Sequence, residues 1–125
     1  MHYKELEIWK ISRELVKDIH LMTIHDLPKF EMFETGSQIR RSVKSIKANI
    51  VEGFTRRQYK QEFIHFLVIA EGSAEETRDH LETLFETGSL RSEDKYKNLH
   101  EALSRLIRMI HNFKDTVQKT HLSSK

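Results

Sequence analysis

The stretch QIRRSVKSIKANIVEGFTRR, residues 38–57, decides the fold, because its apolar residues recur with the period of an α-helix. At about 100° per residue, one face of this helix is an apolar stripe made of Ile39, Val43, Ile46 and Ile50. Cationic side chains flank the stripe on one side, and small or polar side chains flank it on the other. A bundle helix needs only the apolar stripe, so the two flanks indicate contact with a partner.

Two serines and a proline mark limits of the other predicted helices. The first helix covers about residues 4–25 and ends before Pro28, because proline disfavours a helical conformation in the residue before it. Ser37 is the expected N-cap of the second helix, and Ser92 is the expected N-cap of the fourth. The third helix covers about residues 58–87.

Two glycines complete the predicted helix boundaries. Gly53 closes or bends the second helix, and Gly88 terminates the third. No strand pattern competes with these assignments. The chain is therefore predicted to be all-α, with an up-down-up-down antiparallel four-helix bundle at residues 1–118 and a frayed polar tail at residues 119–125.

The amino-acid composition indicates the cellular compartment in which the protein is expected. The 125 residues include no cysteine, so disulfides and thiolate zinc sites are excluded and a reducing compartment is expected. The N-terminus lacks the apolar core of a signal peptide, and no run reaches the 18 apolar residues that indicate a membrane span. We therefore expect a cytoplasmic protein with no membrane contact.

One segment is more apolar than a bundle requires. Residues 63–70, FIHFLVIA, are apolar almost all round, which is typical of a helix that is buried on every side. Ile64, Val68 and Ile69 are predicted to point away from the core and to form an oligomer interface. The alternative is that the N-terminal arm covers them.

Charge is distributed unevenly along the chain. Residues 40–60 contain seven lysines and arginines and one glutamate, whereas residues 71–86 contain six acidic residues and one arginine. Patches of opposite sign can attract each other between copies, or one of them can attract an outside partner. The alternative is that both are solvated helix faces.

Six cations around the second helix are the expected contacts for nucleic-acid phosphates, namely Arg40, Arg41, Lys44, Lys47, Arg56 and Arg57. Alternatively, they contact Glu75, Asp79 and Glu82 of a neighbouring subunit, and the basic stripe is an interface. Salt distinguishes the two hypotheses, since phosphate binding weakens steeply with salt. Tyr59 and Phe63 are predicted core residues, so contact with the nucleic-acid backbone is favoured over base stacking.

The polar flank of the second helix has two interpretations. Gln38, Asn49 and Glu52 are expected to form a structural hydrogen-bond network that fixes the register between helices or subunits. The alternative is that these amides and this carboxylate contact an RNA base edge or a partner helix.

Enzymatic chemistry finds little support in the sequence. Di-iron bundles carry a Glu-x-x-His motif on each of two helices, and this chain has one, from Glu62 to His65. The glycines are isolated, so no phosphate-binding loop is present, and no Ser/His/Asp set is recognisable. We expect no catalytic residue, no metal and no cofactor.

The chain resembles a bacterial family of four-helix bundle proteins, the 23S rRNA-intervening-sequence protein family, over almost its whole length. The strongest shared motif is SIKANIVEG at residues 45–53, followed by Arg56. Other shared motifs are LEIWK at residues 6–10, which is similar to the family's Leu-x-Val/Ile-Trp, LPxxExF at 27–33, QIRR at 38–41 and FxxFLxxAxGSxxET at 63–77. The chain departs from the family pattern at Thr35, Ser42 and Val51, which affects packing only.

The resemblance implies an up-and-down four-helix bundle that assembles into a homo-oligomeric ring, often of five subunits, with no established catalytic residue. Some members are encoded within inserts in bacterial large-subunit rRNA genes. Related bundles accompany reverse transcriptases, where a basic oligomer is described as holding nucleic acid or the polymerase. The partners expected by analogy are further copies of the chain, RNA or DNA, and a polymerase-like protein.

Overall fold

The computed structural model describes residues 1–120, which form four long helices and no strand. The helices are α1 (Glu7–His25), α2 (Thr35–Thr55), α3 (Lys60–Glu86) and α4 (Glu93–Thr120). Two short 3-10 helices precede α1 and α2, at Tyr3–Glu5 and Lys29–Phe33. The all-α prediction is confirmed.

The four helices pack as an antiparallel bundle. Ser42 and Ser45 of α2 bond to Thr77 and Ser73 of α3 respectively, so the two helices run in opposite directions. Consecutive helices contact each other along the bundle, and α2 and α3 share the most extensive contact. Among the pairs of neighbouring long helices, α1 and α4 share the least extensive contact.

A cleft of about 330 Å³ opens along the seam between α1 and α4. Leu21, Met22 and Leu99 form its apolar part. An ion pair closes one end, where Lys95 Nζ lies 2.6 Å from Asp26 Oδ2. This exposed pair and a few apolar contacts therefore join the first helix to the last.

The predicted apolar stripe of α2 forms the centre of the core. Ile39, Val43, Ile46 and Ile50 are all fully buried. Phe63 of α3 lies beside this stripe, with ring centroids 6.3 Å from Phe54 of α2 and 5.8 Å from Phe113 of α4, both edge to face. Aromatic rings from three helices thus meet in one cluster.

Two expectations about α3 and its start are wrong. Tyr59 lies just before the first residue of α3 and is 49% exposed, so it is not a core residue. Ile64 does not point outward, because only 9% of it is exposed and it packs in the subunit core. Ile64 belongs to the same buried cluster as the apolar residues of α4, so its side of α3 is covered by other residues of the same chain.

The start of α2 also differs from the prediction. The helix begins at Thr35, so Ser37 lies inside its first turn and is not the N-cap. The buried carboxylate of Glu31, in the preceding 3-10 helix, accepts the N–H of Gly36 at 3.2 Å. It also accepts the hydroxyl of Ser89, between α3 and α4, at 2.6 Å. We call these two hydrogen bonds the Glu31 latch. The latch satisfies an N–H at the start of α2 and joins two loops at one end of the bundle.

The other predicted helix ends are partly confirmed. Ser92 Oγ accepts the Lys95 N–H at 3.1 Å, which confirms the N-cap of α4. Gly88 follows α3 with φ of 83°, a conformation that favours glycine, so the terminator is also confirmed. Gly53 instead lies inside α2, which continues to Thr55. Residues 119–120 of the predicted tail belong to α4, and residues 121–125 lie outside the described part of the chain.

Candidate nucleic-acid interface

A ladder of small hydroxyl side chains joins α2 to α3. Ser45 Oγ lies 2.9 Å from Ser73 Oγ, and Thr77 Oγ1 lies 2.8 Å from Ser42 Oγ. The Asn49 amide donates to the carbonyl oxygen and the hydroxyl of Ser45, at 2.8 and 3.0 Å. Small side chains allow the two helices to approach closely, and these hydrogen bonds fix their register.

Only one of the three residues expected in the polar network belongs to this ladder. Asn49 joins it through Ser45. Gln38 is exposed and lines a shallow polar cleft of about 340 Å³ between α2 and α3, together with Arg41 and Glu76. Glu52 pairs with Arg56, which lies one turn later at the C-cap of α2.

The side chain of Arg40 connects α2 to two preceding elements of the chain. Its guanidinium donates to the Thr23 hydroxyl of α1 at 3.0 Å and to the Met32 carbonyl at 2.7 Å. The side chain thereby ties α2 to α1 and to the 3-10 helix before α2. These contacts use two of the five N–H donors of the guanidinium and hold the side chain against the bundle.

The two arginines after Gly53 are also engaged within the subunit. Arg56 pairs with Glu52 and, through Nε at 3.3 Å, with Glu62, and its guanidinium carbon lies 5.2 Å from the centre of the Phe66 ring. Arg57 lies 4.1 Å from the Phe54 ring centre and donates to its carbonyl at 3.0 Å. Both cations therefore stabilise the α2–α3 turn.

Three of the six predicted cations remain on the outer side of α2, and we call Arg41, Lys44 and Lys47 the basic stripe. Arg41 and Lys44 are exposed and Lys47 is half-buried. Arg41 makes one long hydrogen bond, of 3.4 Å, to Ser37. Within residues 1–120 no carboxylate pairs with any of the three. Spaced three residues apart, they lie on one side of the helix.

Much of the acidic segment of α3 is paired with cations or histidines inside the subunit. Glu71 bonds to Lys114 at 3.0 Å and to His111 at 3.2 Å. Glu82 lies 2.7 Å from His100, so it is already engaged on α4. Glu75 and Asp79 are exposed and unpaired in the part of the chain that the structure describes.

The carboxylates of α3 also act on the phenol of α4. Burial, with Glu82 and Glu86 nearby, raises the pKa of Tyr96 above its usual value. The ring stacks on Phe85 with 4.1 Å between centroids. The phenol therefore stays neutral and contributes to the packing of α3 against α4.

The outward side of α3 is apolar, as the sequence predicts, at two of the three expected positions. Val68 is 50% exposed and Ile69 is also exposed. Gly72 lies one turn further along, and a Cβ added to it would meet no atom within 4 Å. We call Val68, Ile69 and Gly72 the α3 face.

Within residues 1–120 the side chains of the Glu62-x-x-His65 motif do not converge with further possible metal ligands. Both side chains are exposed, and Glu62 pairs with Arg56. In residues 1–120 no group of three or more histidine, aspartate or glutamate side chains is placed to hold a metal ion.

We expect treatment with a chelator to leave the helicity and melting temperature of the purified protein unchanged. The physical reason is that an isolated Glu/His pair offers too few ligands for a stable site. Circular dichroism with and without chelator, together with elemental analysis, checks this. Stoichiometric iron that is lost in Glu62→Ala or His65→Ala would contradict it.

The comparisons with known proteins agree with this architecture. Residues 4–112 match the sequence model of the 23S rRNA-intervening sequence protein family. The chain belongs to this family. A solved structure of a protein of unknown function from the S23 ribosomal protein family of Bacteroides thetaiotaomicron is similar, with 27% identity and a TM-score of 0.78. The match covers 87% of this chain and 96% of that protein.

Membership of the 23S rRNA-intervening sequence protein family brings no assigned chemistry to the site. No curated protein matches the chain. In residues 1–120 of this family member, no helix is both long and apolar enough to cross a membrane.

Sequence reasoning missed two features of the family member. One is the Glu31 latch, which joins residues 58 positions apart. The other is a group of exposed apolar side chains in the α1–α2 connection, where Phe33 is 87% exposed. The sequence carried one signal for part of each, the shared LPxxExF motif at residues 27–33, which contains Glu31 and Phe33, but that motif has no helical or strand period.

Proposed function

We propose that the protein is a homo-oligomeric module that binds the phosphate backbone of RNA or DNA through the basic stripe of α2, without catalysis and without a metal. The observation that carries the proposal is that Arg41, Lys44 and Lys47 lie on one outer side of α2 with no carboxylate partner within residues 1–120. Phosphate oxygens are suitable partners for such cations. The family's link to rRNA genes supports a nucleic acid as the ligand.

Self-association is the second part of the proposal, and we infer a ring, of five subunits by analogy with the family resemblance. Its support in the structure is the α3 face, which exposes Val68 and Ile69 to water in the single subunit. Three cations per subunit form a weak site alone. Repetition around a ring multiplies that weak site into a strong one.

Salt titration tests the binding proposal. In a plot of log affinity against log salt concentration, each phosphate contact adds about −0.9 to the slope for duplex DNA and about −0.7 for single strands. Engagement of six to ten phosphates by two or more subunits lowers the affinity by about 10³–10⁵ between 50 and 200 mM salt. Fluorescence anisotropy with labelled RNA and DNA of unrelated sequences measures this, and we expect little dependence on sequence.

Charge reversal identifies the residues responsible. The double variant Lys44→Glu/Lys47→Glu is expected to abolish binding at 100 mM salt while light scattering shows an unchanged oligomer. Lys17→Glu/Lys97→Glu, at exposed lysines of α1 and α4, is the charge-matched control and is expected to change the affinity by no more than a few-fold. Negligible wild-type binding, together with dissociation of the oligomer by the double variant, would instead make the basic stripe a subunit interface.

A further inference from the structure

An exposed apolar corner lies at the end of the bundle where α1 connects to α2. Phe33 and Phe30 project from the 3-10 helix Lys29–Phe33, and Ile24 and Met32 extend the same surface. Ile24, Met32 and Phe33 also line a cleft of about 400 Å³. A cluster of this kind on a small protein marks an interaction site.

The α3 face has the shape of a receptor for such a side chain. A glycine inside a helix costs about 1 kcal/mol relative to alanine. Gly72 brings no compensating close packing within the subunit, because the space beside its Cα is open. Exposed Val68 and Ile69 border that space on the turn before. A glycine between apolar neighbours gives an approaching aromatic ring direct access to the helix backbone.

The charges beside the two surfaces differ, because the corner carries one exposed lysine, Lys29, and one exposed glutamate, Glu34, whereas exposed carboxylates follow the α3 face. Lys29 is exposed in the same short helix as Phe30 and Phe33. Glu75 and Asp79, exposed and unpaired within the described residues, follow Gly72 at the next two turns of α3. Opposite charges at the edges of two apolar surfaces steer their association and fix its orientation.

We propose that the occupant of the α3 face is the apolar corner of a second copy of this chain, with Phe33 packed over Gly72 between Val68 and Ile69. This inference rests on the self-association in the proposed function and specifies its contact. The contact is head-to-tail, since the two surfaces differ. Each subunit uses its corner on one neighbour and its α3 face on the other, and such a contact generates rings or filaments rather than twofold dimers.

The positions of the two surfaces restrict the assembly. The Glu31 latch places the corner beside the loop that follows α3, near Leu84. Gly72 lies twelve residues before Leu84 on α3, about 18 Å along the helix at 1.5 Å per residue. Neighbouring bundles are therefore offset along their axes or tilted. A closed ring needs the tilted arrangement.

Two single variants, each blocking one side of the contact, test the proposal. Phe33→Ser removes the projecting ring, and Gly72→Gln fills the space beside the helix while improving its helix propensity. Each is expected to shift the protein to the 14.9 kDa monomer in light scattering at micromolar concentration, with its helicity retained. Leu21→Ser, at an exposed leucine of α1, is the control and is expected to leave the assembly intact.

Mixing the two variants provides the decisive measurement. Each retains the surface that the other has lost, so an equimolar mixture is expected to form heterodimers of about twice the monomer mass and no larger species. An intact oligomer in both Phe33→Ser and Gly72→Gln would overturn the proposed contact while leaving self-association in place. A monomeric wild type at all concentrations would instead refute self-association itself.

Discussion

Replacement of Phe63 with alanine is expected to lower the free energy of unfolding by about 3–5 kcal/mol, the largest single-residue effect that we expect in this protein. The ring is 1% exposed and contacts Phe54 and Phe113 edge to face. The substitution removes apolar burial, leaves a cavity and breaks both aromatic pairs. Urea denaturation followed by circular dichroism, at one fixed protein concentration, measures the loss.

The conservative variant Phe63→Leu is the control for this measurement. It keeps most of the buried volume but loses the two ring contacts, so a loss of about 1–2 kcal/mol is expected. Equal losses in Phe63→Ala and Phe63→Leu would show that the lost ring contacts, rather than the cavity, account for the destabilisation. A loss below about 1 kcal/mol in Phe63→Ala would contradict the central position of the ring.

The second large effect is expected from Gly36→Ala, at about 2–4 kcal/mol. The new Cβ would overlap the backbone carbonyl oxygen of Glu31, which cannot move away as a flexible side chain can. The start of α2 must shift, and the bond from the Gly36 N–H to the Glu31 carboxylate is then lost. The same denaturation experiment gives the change.

Ser37→Ala, at the neighbouring position, is the matched control for Gly36→Ala. Ser37 lies inside the first turn of α2, so Ser37→Ala is expected to lower the free energy of unfolding by no more than about 0.5 kcal/mol. If Ser37 were the N-cap, the same change would cost about 1 kcal/mol. A larger loss in Ser37→Ala than in Gly36→Ala would refute the helix start described above.

The features that sequence reasoning predicted well are those set by local period. The stripe from Ile39 to Ile50 repeats every three or four residues, and all of it is buried. Ser92 and Gly88 act within a few residues of their own position, and both mark helix limits as expected. In each case the physical cause lies within one or two turns of the chain.

The errors arise where a distant residue decides the outcome. Ser37 is a suitable N-cap by itself, but the carboxylate of Glu31 supports an earlier start of the helix. Arg40 falls on the cationic flank of the helical wheel, but Thr23 and the Met32 carbonyl hold its guanidinium. Ile64 lies off the main stripe, and the core cluster that α3 shares with α4 nonetheless includes it.

The same distinction applies to the candidate site. A helical wheel predicts that Arg41, Lys44 and Lys47 lie together, because they are spaced three residues apart on one helix. Whether a cation is engaged depends on side chains from other elements, as Phe66 and Glu62 show for Arg56. Helical periodicity therefore predicted a cationic side of α2. Contacts with other elements engage three of the six predicted cations, so three remain on the outer side of the helix.

The unequal helix contacts leave α1 as the least firmly held of the four long helices. The hydroxyl ladder joins α2 to α3, and Glu71 and Glu82 bond to side chains of α4, whereas α1 and α4 are joined by an exposed ion pair beside an open cleft. Local opening starts where buried apolar contacts are fewest. The bundle is therefore expected to open first at the seam between α1 and α4, and amide protons of α1 are expected to exchange with solvent before those of α2, α3 and α4.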